Sequence, residues 1–279
     1  MCSSDLHAQL GYAYARLDDI DQAIACYRRS LQHGQVSPTA LRGLIRVFIN
    51  TRRTRELDEF LAQYRDQVRN DGETLNMVAL ERLRQRDLAG AHGILRRALE
   101  VSIEQGLGYN LLNWPVPEPR LWHDLEQLEL LAQRGKLAGS GMHALNVLRH
   151  YGRLPPDRAA RYAPPGEEGA QLRRALAEYH HCPDPPFSGT TLGDNDYNVI
   201  EDGFMRSSPK LAVIDNFLSP AALAALREYC EEATIWKNYF DNGYVGTLFG
   251  SGFCPRVLLA IADEMKMMLP RVKIGRAHV

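Results

Sequence analysis

The chain has 279 residues with a formal net charge of −1 at pH 7, a length sufficient for about two domains of roughly 100–200 residues each. Because there is no basic surplus to neutralise phosphates or anionic lipid, and no apolar run approaches the roughly 18 residues that span a bilayer, we expect neither nucleic-acid nor membrane partners. The scattered cysteines form no CxxC pair, which favours a reducing, cytoplasmic setting over a disulfide framework or a zinc site.

The two ends of the chain are expected to be a sequencing-adapter artefact. Residues 274–278 can be encoded by a DNA string whose reverse complement, read from a GTG start codon, gives residues 1–5. Such a scar is excluded from fold reasoning. We therefore predict that residues 1–6 and 273–279 are artefact and that the natural chain is open at both ends.

Residues 7–105 contain an internal repeat with a period of 34 residues. Matching apolar or small positions recur at Leu10, Leu44 and Val78, at Tyr14 and Phe48, at Ala23, Leu57 and Ala91, and at Tyr27, Leu61 and Leu95. The period, and the placing of Leu10-Gly11, Tyr14, Ala23 and Tyr27 in the first unit, resemble the tetratricopeptide repeat. This resemblance implies antiparallel helix pairs stacked into a superhelix. A plain helical bundle with heptad-like spacing is the alternative.

The resemblance also implies a concave groove lined by the first helix of each repeat unit. The candidate groove residues are Tyr12, Arg16, Arg42, Arg46, Asn50, Asn76 and Arg84. Arginine forks and asparagine amides suit carboxylate-bearing or acidic peptides, because they make bidentate and charge-assisted hydrogen bonds. We therefore predict a protein or peptide partner in this groove. The alternative is that these side chains are ordinary solvated helix charges.

Residues 106–154 are expected to continue as a helical region. Apolar spacing predicts helices over residues 121–133 and 141–151, after a break at the proline-rich stretch 114–119.

Residues 155–209 are interpreted as a proline-rich linker that contains one short helix near residues 168–179. Within this linker, His180-His181-Cys182 offers three metal-capable side chains. Adjacent residues rarely chelate one ion, so we expect an exposed segment there and not a metal site. Residues 194–198 begin like a calcium loop, but the glycine and glutamate that such a loop needs further on are missing.

Residues 210–272 are predicted to run in the order strand, helix, strand pair, helix. The strand is expected over residues 211–218, and Ser219-Pro220 then supplies an N-cap and a first-turn proline for a helix. Asn242-Gly243 predicts a hairpin turn, and residues 255–269 a further amphipathic helix.

The segments VIDNFLSPAALAALREYC, GYVGTLFGSGF and LLAIADEMKMMLP resemble the N-terminal support region of bacterial Fe(II)/2-oxoglutarate oxygenases of the prolyl-hydroxylase-like type. The resemblance implies that residues 210–272 are the truncated start of a double-stranded β-helix domain. The expected fold is then a mainly α chain, a tetratricopeptide-type superhelix followed by an incomplete α/β segment. In such oxygenases an HxD pair and a later histidine hold iron. This chain has no HxD, and after His181 its one histidine is the adapter residue His278, so we assign no catalytic or metal residue.

The resemblance implies that the longer parent protein uses Fe(II) and 2-oxoglutarate to hydroxylate a protein or peptide that the repeats recruit. Without iron ligands, this fragment is expected to bind neither cofactor and to be catalytically incompetent. The alternative function is a non-enzymatic tetratricopeptide scaffold that mediates protein–protein interaction. An HxD followed by a distal histidine in the downstream sequence would favour the enzyme.

Overall fold

The structure, a computed structural model, describes residues 3–32, 36–152, 161–240 and 242–272. This described part contains fourteen α-helices, one short 3-10 helix and four strands of two residues each. The prediction of a mainly α chain is therefore confirmed, whereas the superhelix and the start of a β-helix domain stay predictions. Of the expected adapter residues, 1, 2 and 273–279 lie outside the described residues.

The chain divides into two compact units, Met1–Ser102 and Ile103–Val279, called here the first and the second unit. None of the helices in the described residues is long and apolar enough to cross a membrane.

The first unit consists of three helix pairs and one short additional helix. They are α1 (Ser3–Arg16), α2 (Ile20–Gln32), α3 (Pro38–Asn50), α4 (Thr54–Gln63), α5 (Arg65–Arg69), α6 (Gly72–Arg84) and α7 (Leu88–Glu104), whose last residues pass the unit boundary. The first helix of each pair ends at Arg16, Asn50 or Arg84, and the second begins at Ile20, Thr54 or Leu88. Both sets of boundaries keep the 34-residue interval seen in the sequence.

The turn that joins the two helices of each pair also repeats at this interval. The second residue after the end of the first helix is a non-glycine residue with positive φ, namely Asp18 (61°), Arg52 (57°) or Arg86 (64°). The next N–H donates to a carbonyl five residues back, in the pairs Asp19 to Tyr14 (3.0 Å), Arg53 to Phe48 (2.9 Å) and Asp87 to Arg82 (2.9 Å). A left-handed residue with this bond closes a helix C-terminus. The three helix pairs are thus copies of one structural repeat.

The core of the first unit is packed where the repeat predicts close helix approach. Ala23 and Ala91 are completely buried, and Leu57, which replaces the small residue in the second copy, is also buried. Phe48 of α3 contacts Phe60 of α4 edge to face, with ring centroids 5.9 Å apart. Burying side chains of this size contributes about 1.5–3 kcal/mol each.

The second unit is also mainly helical. Its helices are α8 (Leu107–Leu111), α9 (Glu118–Gln133), α10 (Gly139–Tyr151), α11 (Gly166–Ala177), α12 (Tyr197–Arg206), α13 (Pro220–Glu232) and α14 (Arg256–Met268). Strand β1 (Val116–Pro117) pairs antiparallel with β2 (Arg161–Tyr162), and β3 (Asn238–Tyr239) pairs antiparallel with β4 (Val245–Gly246). An apolar cluster of α9, α10 and α11 forms one of its cores.

Several local predictions for the second unit agree with the structure. Helices α9, α10 and α14 lie over the predicted ranges. The Ser219 hydroxyl accepts a hydrogen bond from the Ala222 N–H, which caps α13 as its position before Pro220 predicts. Asn242-Gly243 lies between β3 and β4, and Gly243 has a φ of 92°, a conformation that glycine adopts without a steric cost.

The strand expected over residues 211–218 does not form. Its end is held by a single bridge between Leu218 and Leu192, while Leu211 and Val213 are 69% and 85% exposed. An apolar run becomes a strand only where a neighbouring strand pairs with its backbone, and the described residues supply that neighbour only at one end.

The segment interpreted as a linker contains more structure than one short helix. Besides α11 it holds α12, and its His180 and His181 N–H groups both donate to the Thr234 hydroxyl, at 2.8 and 2.9 Å. Leu172 and Leu176 of α11 are fully buried against α9 and α10. The prolines therefore separate packed elements and do not mark a solvated linker there.

Candidate functional site

A cleft with a volume of about 540 Å³ opens beside α1 and α3 in the first unit. Five of the seven candidate groove residues line it, namely Tyr12, Arg16, Arg42, Arg46 and Asn50. The apolar part of the lining comes from Ala15, Ile20, Tyr27, Gly43 and Val47. This volume lies in the range of about 300–1,000 Å³ that is usual for ligand sites.

The helical repeat explains why these polar side chains share one cleft. Tyr12 and Arg16 are four residues apart on α1, and Arg42, Arg46 and Asn50 are four apart on α3, so each set lies on one helix face. Tyr12 and Arg46 occupy equivalent positions of successive repeats, as do Arg16 and Asn50. The packing of one repeat on the next therefore brings the two faces to the same opening.

Arg42 is already neutralised by carboxylates of the protein. Its Nε lies 2.8 Å from Asp71 Oδ2 and its Nη2 lies 3.0 Å from Asp71 Oδ1, and Nη1 also pairs with Glu73. The hydrogen bond to Asp71 raises the pKa of Arg42. Burial opposes ionisation of Asp71, but the bonds from Arg42 and Thr74 hold the pKa of that carboxyl below its ordinary value. Arg42 thus ties α3 to the start of α6.

Arg16 and Arg46 differ from Arg42 because their charges have no carboxylate partner within the described residues. The Arg16 Nη1 group donates to the Tyr12 hydroxyl at 3.4 Å. The Arg46 guanidinium and the Asn50 amide make no side-chain hydrogen bond there, and the acidic residue in the cleft lining is Asp18. Two guanidinium groups and one amide are therefore available to a ligand.

Tyr27 of α2 forms the wall of the cleft between α1 and α3, and it is only 2% exposed. A Cβ atom at Gly11 would lie 2.7 Å from Tyr27 Cδ1, and one at Gly43 would lie 2.4 Å from Tyr27 Cζ. The ring therefore fits between two helices because both carry glycine opposite it. Burial is the main cause of the raised pKa of Tyr27, and the nearby Arg46 charge lowers it in part.

Sequence reasoning identified Tyr27 as a repeat position but did not place it in the cleft. The signal in the sequence was the pair of glycines inside α1 and α3, at positions where helix propensity disfavours glycine. Such glycines indicate close approach by a neighbour.

The remaining two candidates, Asn76 and Arg84, belong to α6 and are not among the residues that line this cleft. Arg84 pairs with Glu81 at 3.1 Å, and its Nη2 donates to the Ile49 carbonyl at 3.5 Å. The structure therefore does not bring these two side chains together with the other five.

A cluster of buried charges in the second unit has clearly shifted pKa values. Arg120 donates to both carboxylate oxygens of Asp124, at 3.0 and 2.8 Å. Lys237 Nζ lies 4.0 Å from Asp124 Oδ2 and donates to the Leu176 carbonyl at 2.9 Å. Burial lowers the pKa of Lys237 to about 8, against the attraction of Asp124. The nearby cations outweigh the burial of Asp124 and hold its pKa far below the ordinary value. These contacts fasten residue 237 and the end of α11 to α9.

The described residues do not fit an Fe(II) centre. No three His, Cys, Asp or Glu side chains in the described ranges lie close enough together to hold a metal ion. In the segment His180-His181-Cys182, the Nε2 atom of His180 makes a hydrogen bond with the Ala175 carbonyl, at 2.8 Å. We therefore derive no oxygenase step through these residues.

No protein-family model, no curated protein and no solved structure matches this chain.

Proposed function

We propose that the first unit is a tetratricopeptide-type repeat module that binds an acidic segment of a partner protein in the cleft beside α1 and α3. The observation that carries this proposal is the presence of Arg16 and Arg46 in one cleft without a carboxylate partner in the described residues. The 34-residue interval of the helix boundaries and of the left-handed turn residues supports the repeat class.

The chemistry of the cleft favours carboxylate groups as ligands. Guanidinium groups match the geometry of a carboxylate, and charge-assisted hydrogen bonds contribute about 1.5–3 kcal/mol each. Asn50 adds an amide that can bond a peptide carbonyl or N–H. Arg42 lines the same cleft, but its two acidic partners already neutralise it, so we assign the anion contacts to Arg16 and Arg46.

A titration with labelled peptides tests this proposal. The full chain is mixed with a short fluorescein-labelled peptide of alternating Glu and Ala, and binding is followed by fluorescence anisotropy. We expect Arg16→Gln and Arg46→Gln each to weaken binding about tenfold, which corresponds to the loss of about 1.4 kcal/mol of interaction. A peptide with Gln in place of Glu should bind at least as weakly.

Arg28→Gln is the matched control. Arg28 is an exposed arginine of α2 in the same unit, has no ion pair among the described residues and lines a different pocket. This variant removes the same charge from the unit and should leave binding unchanged. Equal losses for Arg28→Gln and Arg16→Gln would indicate general charge attraction, and equal binding of the Gln peptide would exclude carboxylate recognition. Either result contradicts the proposal.

The Fe(II) and 2-oxoglutarate chemistry of a longer parent protein stays a prediction from sequence resemblance, as does a cytoplasmic location. Scaffold function, the alternative drawn from the sequence, is supported by the cleft, which offers a binding site for a partner.

A further inference from the structure

The two ion pairs of Arg42 use different edges of its guanidinium group. Asp71 accepts from Nε at 2.8 Å and from Nη2 at 3.0 Å, so it occupies the edge that carries Nε. Within the described residues, the edge between Nη1 and Nη2 is contacted only by Glu73, through Nη1. A guanidinium group can bind a carboxylate along an edge with two parallel hydrogen bonds. The second edge of Arg42 is therefore held by one contact where a carboxylate could make two.

The two carboxylates differ in how firmly they are held. The Asp71 side chain is 15% exposed, and it also caps α6 by accepting from the Glu73 and Thr74 N–H groups. The Glu73 side chain is 55% exposed, and within the described residues its carboxylate makes no ion pair or hydrogen bond except with Arg42. An exposed ion pair contributes little net stability, because water solvates both charges when they separate. Glu73 can therefore leave Arg42 at a small cost in free energy while Asp71 stays.

Arg42 is placed where a bound acidic segment can reach it. It lines the cleft together with Arg16 and Arg46, and its side chain is 36% exposed. Arg42 and Arg46 are four residues apart on α3 and so lie on one helix face. A carboxylate that takes the place of Glu73 exchanges one negative partner of Arg42 for another, so the local charge balance at Arg42 is kept.

We propose that Arg42 is a third anion-binding side chain of the cleft, and that Glu73 is an internal competitor that a carboxylate of the bound segment displaces from it. This inference rests on the proposed function, because it concerns the same cleft and the same class of ligand. Glu73 neutralises Arg42 until a ligand arrives, and it thereby lowers the affinity of the cleft for acidic segments. The exchange favours segments with several carboxylates, which can hold Arg42 together with Arg16 or Arg46.

A double-mutant cycle between Glu73 and Arg42 tests the displacement, with the labelled Glu-Ala peptide and fluorescence anisotropy. Glu73→Gln keeps the length of the side chain and removes its charge, so we expect this variant to bind the peptide about three- to fivefold more tightly than the natural chain. In the Arg42→Gln background, the same substitution should tighten binding no more than Glu59→Gln does. Relief of general repulsion would instead produce the same gain in both backgrounds, because Arg42 takes no part in it.

Glu59→Gln is the matched control. Glu59 pairs with Arg55 at 2.9 Å on the exposed surface of α4, and neither residue lines the cleft. This variant therefore removes one negative charge and releases one arginine in the same unit, but away from the ligand. Circular dichroism of every variant should match that of the natural chain. If Arg42→Gln does not fold, Arg42→Lys replaces it in the cycle, since lysine can pair with Asp71 but has no second edge.

Two results would overturn this inference and leave the proposed function standing. One is an equal gain from Glu73→Gln in both backgrounds of position 42, and the other is a gain no larger than that of Glu59→Gln. In either case, weaker binding by Arg16→Gln and Arg46→Gln would still support the cleft as the peptide site. If those two variants bind the peptide as tightly as the natural chain does, the proposed function fails and this inference fails with it.

Discussion

At the residue scale, the cleft depends on how the ring of Tyr27 is accommodated. Because an added methyl group at Gly43 would lie 2.4 Å from the ring, we expect Gly43→Ala to destabilise the first unit by about 1–3 kcal/mol through overpacking. Urea unfolding followed by far-UV circular dichroism measures this change.

Gly93→Ala is the matched substitution for this experiment. Gly93 lies inside α7 and has no atom within 4 Å of an added Cβ, so alanine there should stabilise the helix by about 0.5–1 kcal/mol. Equal effects of the two substitutions would show that helix propensity, and not the fit of Tyr27, determines the outcome at position 43.

Lys237 predicts a pH dependence for the second unit. Its pKa in the folded chain is about 8 and its ordinary value is 10.5. Between these values the folded state has released a proton that the unfolded chain still holds, so stability rises with pH across this window. The gain is at most about 3 kcal/mol.

The comparison that isolates this effect is Lys237→Met, which should be more stable than the natural chain at pH 7 and should lack the rise between pH 8 and 10.5. The three tryptophans, Trp114, Trp122 and Trp236, all belong to the second unit. Urea unfolding followed by tryptophan fluorescence therefore reports this unit alone. If the free energy of unfolding depended on pH in the same way for the natural chain and for the variant through this window, the result would contradict the assigned pKa.

At the element scale, Asp71 connects two helices of the first unit in two ways. It caps α6 by accepting from the Glu73 and Thr74 N–H groups, at 3.1 and 3.4 Å, and it holds Arg42 of α3. We expect Asp71→Ala to cost about 2 kcal/mol, and Asp71→Asn about half of that because asparagine also caps helices. Urea unfolding by circular dichroism measures both. If Asp71→Ala and Asp71→Asn lowered the free energy of unfolding equally, the helix cap would contribute nothing beyond the ion pair.

The elements differ in how well local sequence determines them. Helices α9, α10 and α14 could be predicted because the apolar spacing that indicates a helix lies within the helix itself. The strand over residues 211–218 could not be judged from its own residues, since strand formation depends on a partner distant in sequence. For the same reason, the proline content of the region before α12 does not reveal how that region packs. Its packing against Thr234 involves residues more than fifty positions away.

At the scale of the whole molecule, the repeat was the most informative feature of the sequence, because a 34-residue period fixes equivalent positions before any contact is known. Tyr12, Arg16, Arg46 and Asn50, which the period assigns to one groove, line the same cleft. The period could not show that Arg42 is neutralised by Asp71, 29 residues away, or that Arg84 is paired. Which groove charges are available to a ligand depends on such pairings, and they are decided by side-chain geometry.

Hydrogen exchange of the full chain, with and without the Glu-Ala peptide, tests the central claim that the cleft of the first unit binds acidic segments. Bound peptide slows local opening where it contacts the protein. We expect slower exchange in α1 and α3, which line the cleft, and unchanged exchange in α13 and α14. Protection confined to the second unit, or no protection at peptide concentrations that saturate the anisotropy signal, would contradict it.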